Sequence, residues 1–350
     1  MNHPHDHQHH RDENAMNGQL STQQGQLEAE TIPLRLGTRR SALAMAQSGM
    51  VAREVSRVTG RAVELVEITT YGDTSREHLA QIGGTGVFVS ALRDALLAGR
   101  IDFAVHSLKD LPTAAAEGLR LAAVPEREDV RDALIARERL NLAELVEKTP
   151  DRPVRIGTGS PRRMAQLNAW ARARGVEIET VPIRGNVDTR IGFVHSGELD
   201  AVVLATAGLN RLGRSAEITE HLDPELMLPA PGQGALAIEC RADDTGLAAA
   251  LGALDHAPTR AAVVAERALL AALEAGCSAP VAALAHPAGG NELRLEGVVG
   301  TTDGATLLTM STTGPLASGE SAEAAARALG HALAARLLAD GAAGLMGERV

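Results

Sequence analysis

VRIGTGSPRRMAQLNAWARARGVEIETV, residues 154–181, carries the clearest structural signal in the chain. Its apolar pattern predicts a strand from Val154 to Thr158, a helix from Pro161 to Ala173 and a second strand from Val176 to Val181. The same alternation of short β-rich and helical runs begins at Pro33. This βαβ rhythm predicts α/β domains with largely parallel sheets.

Two short motifs recur in the same order along the chain. Leu36 to Ser41 (LGTRRS) resembles Ile156 to Arg163 (IGTGSPRR), which lies 120 positions further on. Gly99 to Val105 (GRIDFAV) resembles Gly197 to Val203 (GELDAVV) at an offset of 98 positions. These ordered matches predict two similar α/β domains that face each other across a cleft, which is a common place for a ligand.

The character of the sequence changes after about residue 255. One helix is predicted from Thr259 to Ala275, and an Ala-rich helix is predicted from Gly319 to Ala339. Three strand-like runs lie between these helices: Val281–Ala285, Leu293–Val299 and Ala305–Ser311. The pattern predicts a separate α+β domain.

The first 30 residues are polar, lack periodicity and include five histidines in the first ten positions. Such a composition favours a disordered leader. Imidazole clusters bind Zn²⁺ or Ni²⁺, so a metal-binding tail is the alternative, although the absence of fixed ligand spacing favours a solvated segment. No metal site is predicted in the folded part of the chain.

Composition excludes several classes of function. The 350 residues carry 34 basic and 44 acidic side chains, a formal net charge of −10, and only five aromatic residues. An acidic, aromatic-poor chain is a poor match for a nucleic acid. No apolar run approaches the roughly 20 residues of a membrane span, and no secretory signal is expected. Two cysteines cannot build a disulfide framework, which favours a cytoplasmic protein.

Residues 158–163 (TGSPRR) have the features of an anion-binding corner. Ser160 is a natural helix N-cap, and Pro161 suits the first helical position. Free backbone N–H groups and the positive helix end should then point into the space that Arg162 and Arg163 reach.

Similar corners are predicted at residues 38–41 (TRRS) and at residues 184–190 (RGNVDTR), where Asn186 is the expected cap. For any single corner, arginines on a solvated helix end are a sufficient explanation. Three corners at strand exits of repeated domains predict a shared carboxylate or phosphate site.

Residues 106–112 (HSLKDLP) follow a predicted buried strand, where α/β folds place ligand-contacting residues. Lys109 and Lys148 are the only lysines among the 34 basic residues. This rarity suggests that Lys109 occupies a position that arginine could not fill. Asp110, near several arginines, is expected to stay ionised and could shuttle a proton or stabilise a cationic intermediate. A surface loop with a helix-capping Asp is the alternative, and these residues alone do not decide between the two.

The two cysteines are predicted to differ. Cys240 shares the face of an alternating apolar run with Leu236 and Ile238, which predicts an inert core thiol. Cys277 follows a helix in a predicted loop, where a reagent can reach it, so it is the better candidate for covalent chemistry.

Together these segments resemble the porphobilinogen deaminase family, also called the hydroxymethylbilane synthases. The matching motifs follow the family's order from about residue 34 to 280: TRRS (38–41), GGTGVF (83–88), VHSLKDLP (105–112), ERED (126–129), GTGSPRR (157–163), RGN (184–186), AGLNRLG (207–213), LPAPGQGA (228–235) and GC (276–277). The combination is specific, whereas no single motif is.

The resemblance implies a transferase that condenses four porphobilinogens head to tail into hydroxymethylbilane, a linear tetrapyrrole, with release of ammonia. It implies a dipyrromethane cofactor attached covalently through Cys277. Each pyrrole carries an acetate and a propionate, which explains arginine-rich corners in an acidic protein. The resemblance further implies a cytoplasmic monomer in haem and porphyrin biosynthesis, with hand-off of the product to uroporphyrinogen-III synthase.

Family positions carry over residue by residue. Asp110 matches the catalytic acid, which helps to expel ammonia and stabilises the azafulvenium and pyrrolic cations. The cofactor-binding positions are Cys277, Lys109, Asp110, Thr158, Ser160, Arg162, Arg163, Arg184 and Gly185. The substrate-binding positions are Arg39, Ser41, Phe88, Arg184 and Arg190. Gln81 and Thr85 depart from the pattern, because many relatives have lysine at both positions.

The resemblance also implies the domain organisation. Two similar doubly wound domains, like those of periplasmic binding proteins, would flank the cleft, and an α+β domain would carry the cysteine loop. The expected division is a leader (1–31), domain 1 (32–128 plus 229–254), domain 2 (129–228) and domain 3 (255–350). A non-catalytic binding protein built from two such domains is the alternative, but it would leave Cys277 and Asp110 without a role.

Overall fold

A computed structural model describes residues 32–69, 84–274 and 279–346. The strands are β1 (Leu34–Thr38), β2 (Val63–Glu67), β3 (Phe103–Ser107), β4 (Leu119–Ala123), β5 (Asp132–Ala136), β6 (Val154–Gly157), β7 (Ile178–Val181), β8 (Ala201–Ala205), β9 (Glu220–His221), β10 (Leu236–Arg241), β11 (Val281–Gly289), β12 (Glu292–Gly300) and β13 (Leu307–Pro315). The α-helices are α1 (Ala42–Thr59), α2 (Gly84–Leu97), α3 (Leu142–Glu147), α4 (Pro161–Arg174), α5 (Val187–His195), α6 (Thr206–Arg211), α7 (Thr245–Leu251), α8 (Ala257–Ala272) and α9 (Ala322–Ala339).

Two five-stranded sheets have equivalent topologies, with the orders β2-β1-β3-β10-β4 and β7-β6-β8-β5-β9. Leu36 of β1 pairs with Phe103 of β3, and Ile156 of β6 pairs with Ala201 of β8 in the same parallel arrangement. These positions are separated by the 120-residue and 98-residue offsets of the sequence repeat. The fold class predicted for the first two domains is therefore confirmed.

The repeat extends to one hydrogen bond between the two inner parallel strands of each sheet. Asp102 Oδ2 accepts from the backbone N–H of Arg35 at 2.8 Å, and Asp200 Oδ2 accepts from the backbone N–H of Arg155 at 2.9 Å. Each aspartate immediately precedes the central strand of its sheet, β3 or β8, and joins it to the neighbouring strand. Charge-assisted hydrogen bonds of this kind stabilise both carboxylates, the buried Asp200 and the half-buried Asp102.

The sheets are mixed, in contrast to the largely parallel sheets that the sequence predicts. β10 runs antiparallel to β3 and β4, and β5 runs antiparallel to β8 and β9. The chain passes from the first α/β unit into the second sheet at β5, and it returns to the first sheet at β10. Each sheet therefore contains one strand that directly follows a passage of the chain between the two units. A strand that enters from the neighbouring unit can run opposite to the strands of the local βαβ repeat.

The third unit is an antiparallel sheet, β11-β12-β13, covered by α8 and α9. The helices approach closely because Gly330 of α9 has no Cβ, which would clash with the carbonyl oxygen of Ala265. The turn between β12 and β13 docks on α4 through hydrogen bonds from Asn168 to the carbonyl of Thr302 and from Arg172 to that of Asp303. This unit confirms the predicted α+β domain.

None of the helices in the described ranges combines the length and apolarity that a membrane crossing requires.

Candidate active site

A cavity of about 100 Å³ opens at the carboxyl ends of β1 and β3. Parallel strands end at the same edge of a sheet, so the residues that follow them converge there. The polar residues of the lining are Arg39, Ser41, Gln47, His106, Ser107 and Asp110. The apolar residues are Leu43, Ala44, Phe88, Val89, Leu92 and Val105.

Arg39 and Phe88 form a stacked pair in the wall of this cavity. The guanidinium carbon of Arg39 lies 3.4 Å from the centroid of the Phe88 ring, and Phe88 is buried. A cation–π contact of this kind holds the charge of the arginine in place. Ser41 caps α1 by accepting a hydrogen bond from the backbone N–H of Ala44, as expected for a helix start at this corner.

Lys109 and Asp110 lie on a short 3₁₀ turn, Leu108–Asp110, directly after β3. Burial raises the pKa of Asp110, by more than Lys109, Arg39 and His106 lower it. The nearby cations favour the ionised form, as the sequence suggests, but desolvation is the larger effect on the pKa; that Asp110 stays ionised remains a prediction. Burial, reinforced by the charge of Arg163, lowers the pKa of Lys109 to about 8.

A buried hydrogen-bond network holds His106 of β3, three positions before Lys109. His106 Nε2 lies 3.1 Å from Glu239 Oε2, and Arg93 Nη2 donates to Glu239 Oε1 at 2.9 Å. Burial by itself would raise the pKa of Glu239, but its hydrogen bonds with His106 and Arg93 outweigh burial and lower it. The network fixes the imidazole of His106 at the floor of the cavity.

The equivalent corner of the second sheet has the predicted helix start. Ser160 Oγ accepts from the backbone N–H of Arg163 at 3.4 Å, and Pro161 occupies the first turn of α4. Thr158 is buried, and its Oγ1 accepts from the backbone N–H of Ser160 at 3.1 Å.

Arg162 and Arg163 do not extend into solvent at the helix end. Arg162 Nη1 donates to Asp132 Oδ2 at 2.7 Å, and Arg163 Nη2 donates to Asp132 Oδ1 at 2.7 Å. Burial by itself would raise the pKa of Asp132, but the charges and hydrogen bonds of the two arginines outweigh it and hold that pKa well below its usual range. The expectation that both guanidinium groups reach freely into an anion corner is corrected, since a protein carboxylate already binds them.

The third predicted corner remains open to solvent. Arg184 and Gly185 are exposed, and Gly185 has a φ of 109°, a region that favours glycine. Asn186 caps α5, as predicted, by accepting from the backbone N–H of Thr189 at 2.9 Å. Arg190 donates to the carbonyl of Gly185 at 2.9 Å, and burial together with the charge of Arg163 lowers its pKa.

The charges of this region do not balance. The charges of Arg163 and Arg162 lower the pKa of Lys109, and the charges of Asp110 and Asp132 raise it, so groups from both sheets act on this lysine. Among the described residues, no carboxylate lies within 4.0 Å of the side-chain nitrogens of Lys109, Arg184 or Arg190. Among the described residues that interact here, Lys109, Arg162, Arg163 and Arg190 carry four positive charges, whereas Asp110 and Asp132 carry two negative charges. This excess of positive charge in a partly desolvated environment suits a ligand with several carboxylates.

Cys240 is fully buried on β10, and burial raises its pKa, which confirms the prediction of a core thiol. Cys277 and Gln81 lie outside the described residues, and so does the side chain of Thr85.

Sequence reasoning missed Asp132 and the contact between Gln47 and Arg211. Arg211 of α6 donates to Gln47 Oε1 of α1 at 3.1 Å and so joins the two α/β units beside the cavity. Asp132 heads the apolar strand Asp132–Ala136, and a carboxylate at the start of such a strand needs a buried cation. That signal was available in the sequence, but it does not identify the partner.

A family model described as porphobilinogen deaminase, dipyromethane cofactor binding domain, matches residues 34–249. The chain belongs to the porphobilinogen deaminase family. A second model, described as the C-terminal domain of porphobilinogen deaminase, matches residues 260–339. The resemblance inferred from the motifs is confirmed, and so is a domain of the type that binds the dipyrromethane cofactor.

Relatives in the porphobilinogen deaminase family match nearly end to end. Porphobilinogen deaminase 1 of Streptomyces coelicolor is 71% identical over 320 residues, which are 90% of this chain and 98% of the relative. Porphobilinogen deaminase of Thermobifida fusca is 56% identical over 89% of this chain and 95% of the relative. A periplasmic sulfonate-binding protein of Methylobacillus flagellatus aligns over 68% of this chain and 67% of its own at 13% identity and a TM-score of 0.35, a likeness too low to bear on the ligand.

Proposed function

We propose that the chain is a porphobilinogen deaminase, a transferase that condenses four porphobilinogens into hydroxymethylbilane and releases ammonia at each step. The observation that carries this proposal is the excess of positive charge around Lys109, Arg163 and Arg190, in a chain whose net charge is −10. A growing pyrrole chain carries two carboxylates on each ring and would neutralise that excess. Family membership supplies the reaction class.

The donor set fits a dipyrromethane cofactor. Lys109, Arg184 and Arg190 have no described carboxylate within salt-bridge distance and could pair with the acetate and propionate groups. When bound, dipyrromethane supplies the free pyrrole carbon at which the chain grows. We propose Cys277 as its covalent attachment point.

Asp110 is proposed as the catalytic acid. Its raised pKa increases the protonated fraction, so it is a better proton donor than an exposed aspartate. It gives its proton to the departing amine of porphobilinogen, the C–N electron pair leaves with the nitrogen as ammonia, and the substrate becomes an azafulvenium cation. The resulting Asp110 carboxylate then stabilises this cation.

The remaining site residues are proposed to bind and orient ligands. Arg39, Ser41, Phe88, Arg184 and Arg190 would hold substrate, and Thr158, Ser160, Gly185, Arg162 and Arg163 would contribute to the cofactor site. Because Asp132 binds Arg162 and Arg163, their proposed contribution is mainly the positive potential that they add to the cleft.

The proposal includes the organisation and setting of the enzyme. The domain boundaries 32–128 plus 229–254, 129–228 and 255–350 are supported by the sheet to which each strand belongs. A cytoplasmic monomer that hands its product to uroporphyrinogen-III synthase completes the proposal and rests on the family alone.

The intact mass of acid-denatured protein tests the proposal. A thioether survives denaturation, so the mass should exceed the sequence mass by two pyrrole units, and peptide mapping should place the increment on the segment with Cys277. Cys277→Ser should abolish most of the increment and the porphyrin formed from porphobilinogen after acid and oxidation, because a hydroxyl is a far weaker nucleophile than a thiolate. Cys240→Ser is the matched control and should retain both. An unmodified mass in active protein would contradict the attachment, and no consumption of porphobilinogen would contradict the function.

A further inference from the structure

The turn that carries Lys109 and Asp110 is held from outside by one side chain of the third unit. Arg267 of α8 donates from Nη1 to the carbonyls of Leu108 at 3.3 Å and Leu111 at 2.8 Å, and from Nη2 to that of Pro112 at 2.7 Å. The three carbonyls bracket the two site residues on both sides in sequence. They belong to a short 3₁₀ segment whose internal support is weak, because a turn of three residues makes few backbone hydrogen bonds of its own.

The backbone contacts of the turn are few. Leu108 N–H donates to the carbonyl of Ala235 at 3.0 Å, and Leu111 N–H donates to that of Leu108 at 3.1 Å. The guanidinium of Arg267 adds three hydrogen bonds, to the carbonyls of Leu108, Leu111 and Pro112. Its planar fork can reach several acceptors in fixed directions at once, which the single ammonium of a lysine cannot do with the same geometry.

The residue that precedes Arg267, Glu266, anchors α8 itself. Glu266 is fully buried, accepts from the backbone N–H of Gly232 at 2.7 Å and forms a bidentate pair with Arg127 at 2.7 and 2.9 Å. Gly232 and Arg127 lie on the two chain segments that cross between the α/β units. Arg267 therefore extends from a helix that is anchored at these two segments. Through its hydrogen bonds it fixes the 108–112 turn relative to them.

We propose that Arg267 is a positioning residue, which orients the 108–112 turn so that Lys109 and Asp110 face the cleft. The proposal rests on the proposed function for its consequence in catalysis, but its structural part can be measured without turnover. The hydrogen bonds given above join Arg267 to the backbone that carries the two site residues, so it acts on them through that backbone.

The two lysines of the chain provide a clean readout. Burial and the charge of Arg163 lower the pKa of Lys109 to about 8, whereas Lys148 is exposed and serves as the internal reference. Competitive labelling with acetic anhydride over a pH series, followed by peptide mass spectrometry, gives the titration midpoint of Lys109. In Arg267→Gln the turn should relax and admit water, which should raise this midpoint by at least about half a pH unit.

Turnover provides the second readout. For Arg267→Gln, kcat with porphobilinogen should fall about 10-fold or more while KM changes little, because small displacements of catalytic groups reduce the rate more than binding. The matched control is Arg336→Gln, which removes a single hydrogen bond from α9 to the carbonyl of Ser311 and should leave both readouts unchanged. Arg267→Lys should give intermediate values and replaces the Gln variant if that variant does not fold.

Two outcomes would overturn the proposal: a wild-type Lys109 midpoint in a folded Arg267 variant, or a wild-type kcat in that variant. Failure of the proposed function looks different, because the wild-type chain would then not consume porphobilinogen. The labelling midpoint would still decide in that case whether Arg267 holds the turn.

Discussion

Replacement of Asp132 by asparagine should destabilise the second α/β unit strongly. Asp132 is fully buried and binds two arginines whose side chains are only 5% and 6% exposed. It also accepts from Gln233 Nε2 at 3.0 Å. Asparagine keeps the shape but leaves the two guanidinium charges without a counter-charge, and its NH₂ group faces other donors. Breaking a buried ion pair in this way costs about 3–5 kcal/mol.

Urea unfolding followed by tryptophan fluorescence measures this cost in the right part of the molecule. Trp170 is the single tryptophan of the chain, lies on α4 with Arg162 and Arg163, and packs against the core of the second unit. For a loss of about 4 kcal/mol and a slope of about 2 kcal/mol per molar urea, the midpoint should fall by about 2 M. The matched control is Asp129→Asn, because Asp129 and its partner Arg131 are 23% and 40% exposed, and its loss should cost about 1 kcal/mol or less.

The same variant has a pH signature. Because the pKa of Asp132 is lowered in the folded state, the ion pair stabilises the wild-type protein fully above the unfolded pKa of about 4, and this contribution is lost as the pH falls further. Asp132→Asn should therefore lose less free energy of unfolding than wild type between pH 5 and about pH 3. Equal midpoints for the Asp132 and Asp129 variants at pH 7, or identical acid slopes for wild type and Asp132→Asn, would refute this reasoning.

Three further changes test separate parts of the structure. Asp110→Asn should lower turnover by about 10²-fold or more while the covalent mass increment is retained, and near-normal turnover would remove Asp110 from the mechanism. Arg184→Gln should leave the melting temperature unchanged, because Arg184 is exposed, but should reduce the fraction of molecules with the mass increment; full occupancy would make Arg184 a surface charge. Gly304→Ala should cost about 1–3 kcal/mol in thermal unfolding, because Gly304 has a φ of 70° and a Cβ would clash with the backbone nitrogen of Ala169. Gly319→Ala, with a φ of 65° but open space around it, is its control and should cost less.

The site shows which charges are available to a ligand and which serve the fold. Arg162 and Arg163 match family positions as closely as Arg184 does, yet Asp132 binds the first two inside the protein, whereas Arg184 lies in solvent. Removal of Arg162 should therefore reduce stability as well as any ligand binding. The two effects must be separated by a melting curve before either is assigned to the cofactor.

The sequence alone determined the local elements and the duplication. Apolar periodicity located the strand–helix–strand units, and the side chains of Ser160 and Asn186 cap the helices at the predicted corners. These features depend on neighbours a few positions away, so a linear pattern contains them. The sequence also placed Lys109 and Asp110 directly after a buried strand. This position depends only on where the strand ends, so the local pattern contains it.

Tertiary structure decided the direction of the crossing strands and the state of the charged groups. β5 and β10 run antiparallel to their neighbours because each enters from the other α/β unit, which no local pattern reports. The partner of Arg162 and Arg163 is an aspartate some 30 positions earlier in the chain, and the turn with Asp110 is held by Arg267 from more than 150 positions later. The raised pKa of Asp110 follows from burial, which depends on all the elements packed around the cavity. Desolvation and long-range pairing are properties of the folded chain, and for that reason the sequence predicted the site residues but not which of them are free to bind a ligand.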